Sequence, residues 1–286
     1  MKLQLTDSRR LTGANLFWDH PSAILDVAIE GFSTGEVIAA WRGAALELLG
    51  QLDYPDEQTT SRTYAGGASL LISAPVDVLY SMREVNDPAW VMAIAAIAQD
   101  EKPDLATEIP RLKRLFEEER NPRLLELQQA AGKHGVPFLW DDDEVSLGYG
   151  KTARVWAPNE LPAAGDLEWK DFASIPLALV TGTNGKSTTV RMTAAIMTAA
   201  GATAGLTSTD FIRAGERIID TGDYSGTGGA RTLMRQPDVD MAVLEVARGG
   251  LLRRGLGVER ADVAVVTNVA ADHLGEWGIN TVDELI

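Results

Sequence analysis

LVTGTNGKSTTVRM, residues 179–192, runs from a short apolar segment through a turn with two glycines into a helix-like pattern. A turn from a strand into a helix presents unpaired backbone N–H groups and the positive end of the helix dipole. Gly182 and Gly185 let the backbone curl around an anion, because no Cβ stands in the way. The stretch therefore predicts a phosphate-binding loop at the start of a helix in an α/β fold.

Lys186, Ser187 and Thr188 follow this turn and supply the groups that such a loop needs. A lysine can reach the β- and γ-phosphates of a nucleotide, and a Ser or Thr hydroxyl can ligate Mg²⁺. The general pattern G-x-x-x-x-G-K-[ST] would place its first glycine at Val180, so this loop is shorter. A tight turn that merely ends in lysine is the structural alternative. We predict that ATP and Mg²⁺ bind to a loop made of Gly182, Thr183, Asn184, Gly185, Lys186, Ser187 and Thr188.

The sequence around the loop has the pattern of a parallel sheet. Compact apolar runs with little polar alternation are typical of strands buried on both faces, and here they are IPLALV (175–180), MAVLEV (241–246) and DVAVVTNV (262–269). ATAGLTST (202–209) adds a further strand, and residues 187–200 have helical spacing that ends at Gly201. We predict a central α/β domain over residues 176–286, with a parallel sheet flanked by helices.

The first part of the chain predicts an α+β domain over residues 1–160. Helix-like runs dominate it, and the alternating stretch GASLLISA (67–74) indicates a strand. The helix-like runs are AILDVAIEGF (23–32), WVMAIAAIAQDE (90–101) and IPRLKRLFEEERNPRLLELQQAAGKHG (109–135). Residues 161–175 carry proline and no apolar period, so we predict a linker there.

Composition excludes several classes of function. The formal net charge of −15 argues against nucleic acid and anionic membranes as partners, and the absence of cysteine excludes thiolate metal sites and disulfides. The N-terminus has no apolar core of signal-peptide length, and no apolar run approaches the length of a membrane span. We therefore expect a cytoplasmic protein.

Several stretches carry a resemblance to a known family. TGTNGKST closely resembles the nucleotide loop of the Mur ligase superfamily. Residues 238–257 and 261–285 look most like the Mur-ligase portion of cyanophycin synthetases, a branch of that family. RRLTGANLFW (9–18) and residues 135–156 are similar to the N-terminal domain of the same branch. The resemblance implies an ATP-dependent carboxylate–amine ligase, which forms an acyl phosphate and then an amide or isopeptide bond and releases ADP.

Two residues at predicted strand ends complete the candidate site. Glu245 ends the run MAVLE, at the sheet edge where open α/β sheets bind ligands. By resemblance Glu245 binds Mg²⁺, and His273 in NVAADHL helps to bind a second metal ion or its water network. Asn268 and Asp272 lie beside His273 in the sequence, and we assign Asn268 to the nucleotide site. The catalytic set is thus Lys186, Glu245 and His273, and the metal set is Ser187, Glu245 and His273.

Polar and basic residues near these strand ends are weaker candidates. Hydroxyls of Thr207, Ser208 and Thr209 could point towards phosphate or metal. Three arginines flank a glycine-rich turn: Arg248, Arg253 and Arg254. They are equally compatible with recognition of an acidic substrate and with a solvated helix face. The expected partners are an acidic small-molecule or peptide acceptor and an amino acid or amine. Assembly into a homo-oligomer is left open.

The chain also departs from the family pattern. Cyanophycin synthetases have an ATP-grasp domain between the two similar parts, and here only a short linker separates Gly150 from Thr181. Thr281 and Glu284 predict a helix-capping box five residues before the end of the sequence, where Mur ligases continue into a helix with a carbamylated lysine and a C-terminal domain. We expect the chain to be the N-terminal portion of a longer ligase, inactive by itself, and the whole enzyme to form one kind of bond per cycle.

The sequence is also compatible, less well, with two other classes of function. A non-catalytic nucleotide- or substrate-binding homologue would retain the loop without the chemistry. A kinase or GTPase switch is disfavoured, because the sequence has no guanine-reading Asn-Lys-x-Asp motif and Val180 replaces the loop's first glycine.

Overall fold

A computed structural model describes all 286 residues, which form two compact units. The first unit consists of Met1–Leu11, His20–Asn121 and Gly275–Asn280. The second unit consists of Thr12–Asp19, Pro122–Leu274 and Thr281–Ile286. Each unit is therefore built from separate pieces of the chain. No helix is long and apolar enough to cross a membrane.

The first unit is α+β, as predicted. Its four-stranded antiparallel sheet has the order β1-β2-β4-β3, and α1 and α2 pack together and against it. The elements are β1 (Lys2–Leu11), β2 (Ser22–Glu30), α1 (Thr34–Gln51), β3 (Thr59–Tyr64), β4 (Gly67–Ser73), α2 (Leu79–Ala98) and α3 (Glu108–Glu119). In its core the indole N–H of Trp41 donates to Asn86 Oδ1 at 2.8 Å, which satisfies both buried polar groups.

The segment Gly275–Asn280 packs on strands of this unit. The guanidinium of Arg9 lies 4.4 Å from the ring centroid of Trp277. Gly278 has φ +70°, and a Cβ there would stand 2.3 Å from the ring of Tyr64. Only glycine fits this contact, because both the backbone conformation and the space exclude a side chain.

The second unit contains a six-stranded sheet with the order β11-β10-β9-β12-β8-β13. Strands β9, β12, β8 and β13 are parallel, and β10 and β11 are antiparallel additions. A separate three-stranded sheet has the order β5-β6-β7. The elements are α4 (Pro122–His134), β5 (Phe138–Trp140), β6 (Val145–Leu147), β7 (Arg154–Trp156), β8 (Leu177–Thr181), α5 (Lys186–Ala199), β9 (Ala204–Thr207), β10 (Phe211–Ala214), β11 (Arg217–Thr221), α6 (Thr227–Met234), β12 (Met241–Glu245), α7 (Arg248–Arg254), β13 (Val263–Val266) and α8 (Val282–Leu285).

Both faces of the central strands are covered, which explains their apolar sequences. Val190 and Ala194 of α5 pack on Leu206 and Val243 on one face. The other face carries a second cluster that includes Leu233 of α6. The predicted α/β fold with a mostly parallel sheet flanked by helices is confirmed. Strand β13 differs from the prediction because it lies at the sheet edge, where Val266 is 62% exposed.

The helix predicted from AILDVAIEGF is wrong, because this run forms strand β2. β2 lies between β1 and β4, with α2 against it. Asp26, in the same strand, accepts a 2.6 Å hydrogen bond from Ser69 Oγ and pairs with Arg9. The run is buried almost throughout, so its apolar residues lack the alternation that marks a half-buried strand. The helices predicted over 90–101 and 109–135 are present, the second as α3 and α4 with a break before Pro122.

The compact units divide the chain differently from the predicted domains 1–160, 161–175 and 176–286. Leu139, Tyr149 and Ile175 share a core cluster with Leu233 and Val239, so residues 122–175 belong with the six-stranded sheet. The predicted domain boundaries and linker stay predictions.

Candidate active site

The loop between β8 and α5 has the backbone that the sequence predicts. Gly182 has φ +128° and Gly185 has φ +83°, both in the region that favours glycine. A Cβ on Gly182 would lie 2.2 Å from the hydroxyl of Thr267, whereas a Cβ on Gly185 would meet nothing within 4 Å. Gly182 is therefore required by close approach, and Gly185 by backbone conformation.

Residues after β13 hold this loop in shape. The N–H of Thr183 donates to the carbonyl of Asn268 at 2.8 Å, and the Thr267 hydroxyl donates to the carbonyl of Asn184 at 2.7 Å. The side chain of Asn268, predicted to bind the nucleotide, bonds to the loop backbone through both its amide oxygen and its amide nitrogen. A role for Asn268 towards the nucleotide stays a prediction, and its observed contacts brace the loop.

Lys186 begins α5 and folds back over the loop. Its ammonium group donates to the carbonyl of Thr183 at 3.1 Å. No side chain caps the N-terminus of α5. The start of this helix therefore offers backbone N–H groups and a cation at the same place, which suits a phosphate group.

Hydroxyl groups link the start of α5 to the end of β12. Ser187 Oγ and Thr209 Oγ1 lie 3.4 Å apart, and the N–H of Thr209 points at Glu245 Oε2 at 3.4 Å. The N–H of Glu245 donates to the Thr207 hydroxyl at 3.2 Å. The parallel register brings these ends together, since Glu245 pairs with Val180 at the end of β8.

Glu245 is buried, with 2% of its surface exposed, and its Oε1 has no hydrogen-bond partner. Glu245 is also one of the residues that line a cavity of about 10 Å³, which holds roughly one water molecule. A buried carboxylate oxygen without a partner is costly unless a cation or donor reaches it. Glu245 thus fits the role of a metal ligand better than that of a solvated strand-end charge.

The oxygen donors of Ser187 and Glu245 are compatible with the predicted magnesium ion. No group of three His, Cys, Asp and Glu residues lies close enough to hold a metal ion. Mg²⁺ is usually held by one or two carboxylates together with water and substrate phosphates, so it does not need such a group. Glu245 and the Ser187 hydroxyl, joined through Thr209, would hold Mg²⁺ beside the phosphates of a nucleotide.

His273 lies in the loop that follows β13. It has φ +48°, its side chain is 68% exposed, and its Nε2 is 3.9 Å from Asp272 Oδ2. The carbonyl of His273 accepts a hydrogen bond from the guanidinium of Arg248, which begins α7 three residues after Glu245. This bond ties the His273 loop to the end of β12. The metal role of His273 stays a prediction.

The remaining candidates divide by what they contact. Ser208 Oγ accepts from the N–H groups of Asp210 and Phe211, so it stabilises a turn and does not face the loop. Thr209 is the hydroxyl of this group that faces Ser187. Arg253 and Arg254 lie on the exposed side of α7.

The sequence does not predict that Thr267 holds the loop through the carbonyl of Asn184. It also does not predict that Thr12–Asp19 folds into the second unit. Thr267 follows β13 directly, and the position of a hydroxyl after a strand gives no signal of its partner. Thr12–Asp19 belongs to the second unit although it comes before every other part of it in the sequence.

Residues 180–284 match the Mur ligase middle domain family. Over 111 residues the chain is 50% identical to a cyanophycin synthetase from Trichormus variabilis. The matched region covers 39% of this chain and 12% of that protein. It is 36% identical over 125 residues to the dihydrofolate synthase/folylpolyglutamate synthase of Escherichia coli, covering 34% of this chain and 29% of that protein. A UDP-N-acetylmuramyl-tripeptide synthetase from Leifsonia xyli is 37% identical to this chain over 102 residues. The matched region covers 34% of this chain and 20% of that protein.

These similarities confirm the predicted resemblance for the C-terminal part of the chain. The similar segments include the loop, Glu245 and His273. The matched region spans only about an eighth of the length of the cyanophycin synthetases, so their activity as whole proteins does not pass to this chain.

Proposed function

We propose that the Mur ligase middle domain carried by residues 180–284 binds ATP and Mg²⁺ as part of a ligase that joins a carboxylate to an amine. The observation that carries this proposal is the buried carboxylate of Glu245, which has one oxygen without a partner. Its other oxygen is linked through Thr209 to Ser187, at the uncapped start of the helix that follows the loop. A turn that served only to connect β8 to α5 would not need a buried carboxylate beside it.

We propose the reaction class that the family resemblance implies. In such a ligase an oxygen of the acceptor carboxylate attacks the γ-phosphorus of ATP, giving an acyl phosphate and ADP. The amine then attacks the acyl carbon, an amide bond forms, and phosphate leaves. Mg²⁺ would neutralise the negative charge that develops on the phosphate oxygens in the first step.

The chain's own residues have defined tasks in this scheme. Lys186 would leave the carbonyl of Thr183 and pair with the phosphate oxygens, where its charge stabilises the transition state. The N–H groups at the start of α5 would hold the phosphates in place. Ser187 and Glu245 would hold Mg²⁺, and His273 would orient its water molecules. Asn268 and Thr267 would keep the loop in its binding conformation.

The acceptor is proposed to be an acidic small molecule or peptide, and the second substrate an amino acid or amine. Arg253 and Arg254 present cationic side chains at the end of α7, eight and nine residues after Glu245 in the sequence. Guanidinium groups bind carboxylates with paired hydrogen bonds, which suits an acidic acceptor. A cytoplasmic location remains our prediction for such an enzyme.

The test is ATP-dependent product formation by the natural full-length protein. ADP release is measured against a panel of amino acids and acidic peptides, and products are identified by mass spectrometry. We expect one kind of amide or isopeptide bond, and no product with Lys186→Ala. Lys170→Ala, at a lysine whose side chain is 80% exposed in a surface ion pair, is the matched control.

Three results would contradict the proposal. Full activity of Lys186→Ala would remove the loop from the mechanism. Binding of ATP without product for any acceptor would favour a non-catalytic nucleotide-binding protein. Alternating addition of two amino acids would reveal a second ligation site and overturn the expectation of a single kind of bond.

A further inference from the structure

The turn between β9 and β10, residues 208–210, carries Thr209 into the candidate site. Thr209 Oγ1 lies 3.4 Å from Ser187 Oγ, and the backbone nitrogen of Thr209 lies 3.4 Å from Glu245 Oε2. Both distances are longer than those of ordinary hydrogen bonds, so these two contacts hold the turn only weakly. Other contacts therefore decide how far Thr209 stands from Ser187.

The β9–β10 turn has a set of hydrogen bonds that fixes its shape. Ser208 Oγ accepts from the N–H groups of Asp210 and Phe211, and the N–H of Ser208 donates to the carbonyl of Phe211 at 3.0 Å. Two further bonds join the turn to the segment before α6: the N–H of Gly222 donates to the carbonyl of Asp210, and that of Tyr224 to the carbonyl of Ser208. None of these bonds involves α5, so they do not set the distance between the turn and that helix.

An ion pair joins the β9–β10 turn to α5. The guanidinium of Arg191, on α5, pairs with the carboxylate of Asp210, in the turn. Arg191 Cζ also lies 5.3 Å from the ring centroid of Phe211, and that ring packs against the core cluster beneath α5. Because Arg191 follows Ser187 by four residues, the two side chains project from the same face of the helix. The helix face that presents Ser187 to Thr209 therefore also holds the next residue of the turn.

The exposure and charge of this pair separate its effect on the fold from its effect on the site. The side chains of Arg191 and Asp210 are 47% and 58% exposed, so the pair contributes little to the stability of the fold. Asp210 alone would be unfavourable beside a phosphate site, because its negative charge repels the ligand. Its position next to Thr209 is explained by its contact with Arg191.

We propose that Arg191 and Asp210 are positioning residues, which hold the β9–β10 turn against α5 and so keep the Thr209 hydroxyl beside Ser187 where the metal–nucleotide complex binds. This inference rests on the proposed function, because it assigns a task at the same site. Groups that orient a metal site without touching the metal change its affinity when they are altered. Because this pair is exposed, we expect a modest change, roughly two- to fivefold.

A positioning role and a simple charge effect predict opposite signs for Asp210. If the two residues acted through charge alone, Arg191→Ala would weaken the binding of ATP and Asp210→Ala would strengthen it, since ATP is an anion. If they position the turn, both changes weaken binding, because each one breaks the same pair. We expect each single variant to lose roughly two- to fivefold in the Mg²⁺-dependent gain of ATP affinity, and the double variant to lose no more than a single one.

The experiment measures the dissociation constant of ATP by isothermal titration calorimetry. The natural full-length protein and its variants are titrated with Mg²⁺ and with EDTA, and the ratio of the two constants is the Mg²⁺-dependent gain. The matched control is the pair of Arg217 and Asp238 in the same unit, whose atoms lie 3.1 Å apart and whose side chains are 53% and 46% exposed. Arg217→Ala and Asp238→Ala should leave the gain unchanged.

The outcomes for this inference and for the proposed function differ. Tighter binding by Asp210→Ala, additive losses in the double variant, or gains equal to that of the wild type would each overturn the positioning role and leave the metal site in place. If Glu245→Gln keeps the full Mg²⁺-dependent gain, or the wild type does not bind ATP, the proposed function fails instead.

Hydrogen exchange tests the contact without nucleotide. The protection of the amides of residues 209–211 should fall in Arg191→Ala and in Asp210→Ala, and should stay at the wild-type level in Arg217→Ala. Unchanged protection in the first two variants would mean that the ion pair does not hold the turn, and the inference would be wrong.

Discussion

Asn268 makes two hydrogen bonds to the backbone of Asn184: its Oδ1 accepts from the N–H at 3.2 Å, and its Nδ2 donates to the carbonyl at 2.9 Å. The second residue after β13 thus holds the loop between β8 and α5 through one donor and one acceptor. The loop shape is therefore imposed from a neighbouring strand end as well as by its own glycines.

Removing this brace should weaken nucleotide binding without removing a phosphate contact. We expect Asn268→Ala to reduce ATP affinity roughly tenfold, because each lost hydrogen bond contributes about 1 kcal/mol net. Asn268→Asp places a carboxylate oxygen against the carbonyl of Asn184 and adds a negative charge beside the proposed phosphate site, so we expect it to bind ATP at least as weakly as Asn268→Ala. Isothermal titration calorimetry measures both. Equal affinities for the wild type and Asn268→Ala would mean that Thr267 and the glycines hold the loop alone.

Two glycine variants of the loop should differ although both have positive φ. Gly182→Ala and Gly185→Ala each introduce backbone strain of about 1–3 kcal/mol. Only Gly182→Ala also drives a methyl group into Thr267 and the backbone of Asn268. We expect its thermal midpoint and its ATP affinity to fall further than those of Gly185→Ala. The same loss in both variants would show that strain, rather than contact, decides the outcome.

Glu245→Gln should uncouple stability from metal binding. Without metal the variant buries a neutral amide in place of a carboxylate, which costs less, so we expect its free energy of unfolding to rise. At the same time Mg²⁺ should cease to stabilise it. Urea unfolding with and without Mg²⁺ tests both points, with the exposed Glu216→Gln as control. A large loss of stability in metal-free Glu245→Gln would instead mean that the carboxylate is part of the packing.

The stability of the first unit should fall in alkaline solution. Burial, helped by nearby Asp26, raises the pKa of the Tyr64 hydroxyl from 10.0 to about 12. Above pH 10 the unfolded chain loses this proton and the folded chain keeps it, so the free energy of unfolding decreases until about pH 12. Tyr64→Phe should remove this part of the decrease. Tyr80→Phe, at an exposed tyrosine, is the control. Parallel alkaline curves for wild type and Tyr64→Phe would contradict the assignment.

The sequence was a good guide where local pattern and chemistry coincide. The strand before the loop, the helix after it and the carboxylate at the end of β12 all follow from runs of adjacent residues. The capping box of Thr281 and Glu284 is confirmed for the same reason, since both of its hydrogen bonds lie within four residues. Such features need no knowledge of what lies across the molecule.

Features that depend on distant partners could not be predicted. The run containing Asp26 resembles a helix in sequence, because nothing local reveals that Arg9 and Ser69 lie beside it. Nothing local indicates that Asn268 also braces the backbone of Asn184, 84 residues away, and its role towards the nucleotide stays a prediction. The contact of Thr12 with Arg231 joins residues 219 positions apart, and no spacing rule reaches that far.

The division of each unit into separate pieces constrains how the chain can be made. The ribosome adds roughly 5–20 residues per second, and it completes the strands of the first unit well before it reaches Gly275–Asn280. Until then the ring of Tyr64 lacks the backbone of Gly278 that packs on it. Co-translational folding therefore cannot finish the first unit early. A premature stop or a protease cut before residue 275 would damage that unit while leaving all of its strands and helices in the chain.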